Sequence, residues 1–294
     1  MKKIIIYQVL ILSVSFSLQK SDMTMLKEKI QSIIASANGN FAVALMDLQT
    51  HQTLLLNERE KFHAASTMKT PVMIEVFKQA NEKKFSLDDS IAIINKFSSI
   101  VDGSPYSLNT TDDSEGDLYS LIGHKLKIRD LVFRMITVSS NLSTNILIDK
   151  VKAVNVMKTM KSMNANDIQV LRGVEDQKAY DAGLSNTTTA YDLMLIFEKI
   201  ARKEIISPQA CDGMIDILKH QKFNDMIPGL LPKDVTVAHK TGSITGVEHD
   251  SGIVYLPDGR KYVLVILSKN LQSAEAGKKT IAQISKTIYD YFIH

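Results

Sequence analysis

Cysteine is almost absent from this chain. Cys211 is the only one in 294 residues, so no intramolecular disulfide can form. The fold must rest on its core, which is feasible at this length. Cys211 lies in an apolar-periodic stretch and reads as a small buried hydrophobe, since no companion histidine makes it a catalytic thiol. Charge of one sign is lacking too. Lys and Arg number 35 against 32 Asp and Glu, a formal balance of +3. No basic run makes a phosphate-binding footprint, which argues against nucleic acid as a partner. The seven histidines form no H-E-x-x-H motif and no cluster with cysteine, and no glycine-rich phosphate loop occurs. Neither a metal nor a cofactor is called for.

Long apolar runs are missing except for one. Lys2 and Lys3 precede an almost uncharged stretch from Ile4 to Leu18, too short to span a bilayer comfortably. A basic start, an apolar middle and small residues at Ser13/Ser15 or Ser15/Ser17 read as a signal peptide over 1–18. A buried N-terminal helix or an uncleaved anchor is the weaker alternative. With no cysteine near the cleavage site, a lipid anchor there is excluded. The expectation is an exported protein, periplasmic or secreted, with no stable membrane anchor. No interface signature is visible, so a monomer is expected.

What is present is ordinary globular composition, 45% hydrophobic and 23% charged. Leu26, Ile30, Ile33, Ile34 and Ala37 repeat at helical spacing before a stop at Asn38-Gly39. Phe41–Leu48, Thr53–Leu56, Asp234–His239, Ser251–Leu256 and Lys261–Leu267 read as strands, with a hairpin turn at Pro257-Asp258-Gly259-Arg260. Ile281, Ile284, Ile288 and Phe292 share one face of a closing helix. Between these ends, helices are predicted over Met68–Glu82, Ile128–Val138, Leu142–Val151, Val154–Met163, Thr188–Lys203 and Pro208–His220. Loops are predicted over Ser98–Glu115 and Gly173–Asn186. The expected class is α+β: an antiparallel sheet with its terminal helices, plus an all-helical insert. Residues 19–294 would form one catalytic domain of two interleaved lobes, a sheet lobe of 21–62 with 221–294 and a helical lobe of 63–220, with the cleft between them.

Three short motifs carry chemistry. Ser66-Thr67-Met68-Lys69 opens a helix and sets a hydroxyl and an amine on one face at i, i+3. Serine needs a base to become a nucleophile, and a desolvated lysine can serve or relay. The helix N-terminus offers backbone N–H groups where an oxyanion would develop. Alone, Ser-x-x-Lys describes many capped helices. Ser139-Ser140-Asn141 follows one predicted helix, and Lys240-Thr241-Gly242-Ser243 follows the strand ending at His239. The order and separation of the three agree with S-x-x-K, S-D-N and K-T-G.

On Phe62–Lys69, Met135–Asn145 and His239–Gly242, with the export signal, the chain resembles the class A β-lactamases. The order of elements matches over nearly the whole mature chain. The resemblance implies a β-lactamase/transpeptidase-like fold and a β-lactam substrate. Ser66 would attack the lactam carbonyl, with Lys69 accepting its proton and Ser139 passing one to the departing nitrogen. Asn141 would hold the substrate's side-chain amide, and Lys240, Thr241 and Ser243 its carboxylate. The backbone N–H groups of Ser66 and Ser243 would form the oxyanion hole, with Gly242 between the third-motif residues.

The chain departs from the family at several positions. Ser140 stands where Asp is usual, so the support that carboxylate gives its loop must come from elsewhere. In Arg172-Gly173-Val174-Glu175 the acid expected to drive deacylation lies one residue farther from its Arg. The Asn that follows it in the family is absent, and Asp176 is the next candidate base. Asn186 replaces an Asp that pairs with the Arg. No Arg follows the third motif, and His249 is the nearest group to assist a carboxylate. A peptidase or esterase acting on D-alanyl peptides or small esters, or a slowly turning-over penicillin-binding protein, would share the first three motifs and differ at Glu175.

Overall fold

The strand of Asn40–Asp47 alternates its side chains between two apolar layers, and this sets the architecture. The computed structural model describes residues 22–294, so the predicted signal peptide over 1–18 lies outside the described residues. The main sheet contains β1 (Asn40–Asp47), β2 (Thr53–Leu56), β3 (Thr236–Ile244), β4 (Val247–Tyr255) and β5 (Lys261–Lys269). They lie in the order β2-β1-β5-β4-β3, antiparallel throughout. Phe41, Val43 and Leu45 of β1, with Tyr262, Leu264 and Ile266 of β5, pack with Leu26 and Ile30 of α1 (22–35) and with Ile281, Ile284 and Ile288 of α9 (Ala274–Ile293). The intervening Ala42, Ala44, Met46, Val263, Val265 and Leu267 face the remaining helices. Burial on both faces explains why these strands read as continuous apolar runs.

Among the described residues, seven helices follow one another from there: α2 (Lys69–Asn81), α3 (Ile128–Thr137), α4 (Asn141–Val151), α5 (Ala153–Ser162), α6 (Gln177–Asp181), α7 (Ala190–Ala201) and α8 (Pro208–Lys219). Apart from α6, which falls in a predicted loop, their ends lie within about two residues of the predicted ones, the ordinary scatter of helix boundaries. The start of α7 has a visible cause. Thr189 caps it through Oγ1, which accepts from Asp192 N–H at 3.1 Å, while Thr188 pairs with Phe62 in a two-residue ladder. Cys211 is buried as a small side chain, its thiol donating to Ile205 O at 3.0 Å.

Two loops hold more structure than predicted. At the start of 98–115, Phe97–Ser98 pairs with Pro105–Tyr106, and within 173–186 the single turn α6 is capped by Asp176. A larger correction concerns the third motif. Lys240 to Ser243 does not follow a strand; it lies inside β3, which runs on to Ile244. Lys240 is opposite Ser251, Gly242 opposite His249 and Ser243 opposite Glu248, and the hairpin turns at Thr245–Gly246. The polar residues there are buried by the turn that carries Ser66, so side-chain polarity concealed the strand. Among the described residues, no helix is long and apolar enough to cross a membrane.

Candidate active site

Ser66 sits in a 3-10 turn, Ala65–Met68, and α2 begins only at Lys69. In such a turn i and i+3 eclipse, which keeps serine and lysine on one face. The turn is built by local bonds: Ala64 N–H donates to Asn186 O at 2.8 Å, Ala65 N–H to His63 Nδ1 at 3.0 Å, and Thr67 Oγ1 to Ala64 O at 2.6 Å. Strand β3 runs close beside it. A Cβ on Gly242 would lie 3.1 Å from Ser66 N and from Thr67 N, so a side chain there would press strand and turn apart by a few tenths of an ångström.

The three motifs meet at Ser139. The fully buried Lys69 donates from Nζ to Ser139 O at 2.6 Å, to Asn141 Oδ1 at 2.8 Å and to Ser139 Oγ at 3.2 Å. Lys240, also fully buried, donates to the same Oγ at 3.1 Å and to Thr241 O at 2.8 Å. Burial brings Lys69 down to about 7, opposed by the charges of Asp113 and Glu175. Burial first, and then the charge of Lys69, hold Lys240 well below its ordinary value. Both effects disfavour the ammonium form and make these lysines fit to exchange protons near neutral pH.

The missing second-motif carboxylate is supplied from elsewhere. Ser140 is itself the cap of α4, its Oγ accepting from Ser143 N–H at 3.3 Å. Asp113, from the preceding loop, takes the N–H of Asn141 at 2.9 Å and that of Leu142 at 2.9 Å, and accepts from Tyr119 OH at 2.9 Å. An acid at a helix N-terminus also complements the dipole.

The Glu175 loop is fixed by neutral amides. Asn145, buried on α4, accepts from Val174 N–H at 2.6 Å and donates to Val174 O at 3.0 Å. A Cβ on Gly173 would fall 2.2 Å from Asn145 Oδ1, so glycine is required there. Asn186 accepts from Leu171 N–H at 2.8 Å and donates to Arg172 O at 3.0 Å, bridging the neck of the loop through its backbone. Arg172 in turn donates to Leu184 O and Gly173 O, both at 3.0 Å. Asp176 is not free to act as a base: it is buried and accepts from Ser99 Oγ, Ile100 N–H and Ala179 N–H. Glu175 is exposed at φ 62° and accepts from Asn141 Nδ2 at 3.4 Å. Loss of hydration in the cleft, and then the charge of Asp112, raise its carboxyl against the pull of Lys69 and Arg172. Asn141 therefore bridges Lys69 and Glu175. Ala65, Ser139 and Glu175 all carry positive φ, a strained backbone state for non-glycine residues.

Ser66, Asn141, Glu175, Arg172 and Ser243 line one cleft of about 400 Å³. A wider groove of about 850 Å³ beside Arg202, Asp258 and Arg260 gathers no nucleophile. His249 does not reach toward a substrate. It is buried, with Nε2 facing His63 O at 2.9 Å and Nδ1 accepting from Ser268 N–H at 3.0 Å. Among the described residues, no group of three or more His, Cys, Asp or Glu could hold a metal ion. Sequence reasoning missed Asp113, Asn145 and Gly173, each of which acts across the fold.

An antiparallel sheet packed on helices, with a Ser-x-x-Lys turn, a serine–asparagine loop and a Lys-Thr-Gly strand converging on one cleft, defines a serine hydrolase of the penicillin-recognising class. The chain belongs to the β-lactamase enzyme family, whose model matches residues 25–292, and hydrolysis of β-lactams by a serine is the activity of that family. It is similar to β-lactamase VEB-1 of Pseudomonas aeruginosa, at 23% identity over 90% of each chain. It is also similar to the extended-spectrum β-lactamase PER-1 of the same organism, at 25% identity over 96% of this chain and 92% of the relative. The solved structure of PBP-A superposes with a TM-score of 0.78 at 26% identity, covering 92% of this chain and 96% of that one.

Proposed function

We propose that Ser66 is the nucleophile that opens the β-lactam ring, and that Lys69, Ser139 and Lys240 move the protons. The observation that carries this reading is Ser139 Oγ held by two buried lysines, at 3.2 Å from Lys69 and 3.1 Å from Lys240. Lys69 in its neutral form takes the Ser66 proton as Oγ bonds to the carbonyl carbon. The oxyanion is met by the backbone N–H groups of Ser66 and Ser243. As the C–N bond breaks, Ser139 gives its proton to the ring nitrogen and recovers one from the lysine pair. Lys240, Thr241 and Ser243 receive the substrate carboxylate, Gly242 leaves room for it, and Asn141 holds the side-chain amide. Water activated by Glu175 then releases the acid. No cofactor enters the scheme.

A fluorescent penicillin should label the wild-type chain covalently, and Ser66→Ala should abolish labelling. Labelling that persists in Ser66→Ala would sink the assignment. One observation favours a second reading, a penicillin-binding protein that acylates but turns over slowly: Glu175 is exposed and reaches the site only through Asn141 at 3.4 Å. PBP-A offers a parallel, since a mutant of it is described as an acyl-enzyme complex with penicillin G. Sustained turnover of a chromogenic cephalosporin supports the lactamase; a stop after one equivalent supports the alternative. The basic and apolar start of the sequence, read as a signal peptide, supports export to the periplasm or medium, where a new N-terminus near Ser15 to Lys20 is expected by mass spectrometry. We also take the chain as a monomeric catalytic domain whose two lobes divide at 62/63 and 220/221.

A further inference from the structure

A buried acid lies directly behind the site at the end of β3. Glu248 is 1% exposed, although its cross-strand partner Ser243 opens onto the cleft. Ser243 Oγ is 2.8 Å from Glu248 Oε1, while Oε2 is buried with no hydrogen-bond partner. A buried carboxylate with a bare oxygen is costly in its ionised form. Few charges offset it. Lys278 of α9 faces it, but Lys278 is already paired with Asp225 at 2.9 Å, and Asp225 opposes its effect. From β5, the Ser268 hydroxyl bonds the Glu248 backbone rather than its carboxylate.

A hydroxyl has one proton to donate. When Glu248 is ionised it can only accept, so Ser243 must spend its proton inward and present lone pairs to the cleft. When Glu248 is protonated it can donate to Ser243 Oγ, which frees the serine proton to point outward. We propose that Glu248 is a positioning residue that sets the hydrogen-bond polarity of Ser243, and so the affinity of the cleft for anionic ligands. The proposal rests on the reading that Ser243 faces the substrate carboxylate. Burial raises the Glu248 carboxyl above its ordinary value, against the Ser243 hydrogen bond and Lys278. The neutral form is thus retained to higher pH than in a surface glutamate, and affinity for an anion is highest below that point.

The test measures equilibrium binding of benzylpenicillin and of its methyl ester to Ser66→Ala protein, at about pH 5 and about pH 8, by calorimetry. Lys69 also loses its proton in this range, so the informative quantity is the change caused by Glu248→Gln, whose amide can donate to Ser243 at any pH. At about pH 8 the added Glu248→Gln should tighten penicillin binding about fivefold, the worth of one hydrogen bond. At about pH 5 the gain should be smaller, because more of the Glu248 carboxyl is protonated there, and the methyl ester should be indifferent at both. With Ser243→Ala also present the gain should vanish. A gain equal at both pH values, shared by the ester, or surviving Ser243→Ala overturns the proposal, as does the absence of penicillin binding. Should Glu248→Gln fail to fold, Ser243→Ala decides alone: it should cost more affinity at about pH 5 than at about pH 8. Covalent labelling of the wild-type chain reports separately on the acyl-enzyme reading.

Discussion

The two corners of the cleft hold their reactive groups in opposite ways. Around Ser66 two fully buried lysines, Lys69 and Lys240, converge on one serine hydroxyl, and the partly buried Asp113 anchors the neighbouring helix. Around Glu175 the backbone is fixed by Asn145 and Asn186, yet the carboxylate itself is exposed. Attack on the ring can therefore use groups already in place. In the proposed mechanism, release of the acyl group would depend on the exposed Glu175 carboxylate. The difference teaches that acylation and deacylation rest on separable structure, so they should fail separately.

The largest break should come at the buried corner. Lys69→Ala is expected to slow acylation by about 10²–10⁴-fold, the usual worth of a general base, as read from the rate of fluorescent-penicillin labelling. In the wild type, kcat/KM should rise with pH along a limb near the value of about 7 to which burial brings Lys69, because only its neutral form accepts a proton. A flat profile through neutrality would take the base role from Lys69. At the other corner, Glu175→Gln should acylate at the normal rate and accumulate acyl-enzyme. The exposed carboxylate places the loss near about 10²-fold, the low end for a base. Intact-mass time courses would show the trapped species, and wild-type turnover in Glu175→Gln would mean the base lies elsewhere.

These corners also differ in how far they could be read from sequence. The acylating groups sit in short motifs, because Ser66 and Lys69 need only one turn of backbone between them. The position of β3 was half legible: its apolar start was recognised, but buried lysine and threonine do not look like strand interior. Support for the second motif was invisible, since Asp113 acts on Asn141 across 28 residues of chain. The Glu175 loop was harder still. Asn145 lies on a helix and looks like any polar helical residue until Gly173 is seen pressed against it. Asp176, an attractive base by register, is consumed in capping α6 and tying down Ser99 and Ile100. Pairings of this kind are fixed by tertiary approach, and no local pattern encodes them.

Acid should separate the corners by stability. His249 sits beneath the Ser66 corner, linking β4 to His63, and burial lowers it from 6.5 to about 4. Its unfolded form binds a proton at higher pH than the folded one does. The stability it contributes is therefore complete above about pH 6.5 and is lost as pH falls toward about 4, some 3 kcal/mol in all. The Asn145 and Asn186 bonds carry no such dependence, because amides do not titrate. Urea midpoints of wild type and His249→Gln across this range should converge in acid. Parallel curves would show that His249 is not the group responsible.

The smallest effect should come from placing at the loop neck the acid that the family resemblance leads one to expect there. Asn186 uses both ends of its amide: Oδ1 accepts from Leu171 N–H at 2.8 Å, and Nδ2 donates to Arg172 O at 3.0 Å. Asn186→Asp keeps the first bond and turns the second into a contact between two oxygens. Arg172 offers little compensation, because its guanidinium is already directed at Leu184 O and Gly173 O. The new charge would also be almost fully buried, at 5% exposure. The expected net is a loss of about 1–2 kcal/mol, the cost of an unsatisfied buried group. Because Ala64 hangs from the Asn186 carbonyl at 2.8 Å, a shift of the neck reaches the Ser66 turn only through backbone. Acylation should thus fall less than deacylation, and single-turnover kinetics would resolve the two. A stabilised Asn186→Asp protein would mean that Arg172 turns to meet the carboxylate, and that the neutral neck is not a requirement of this loop.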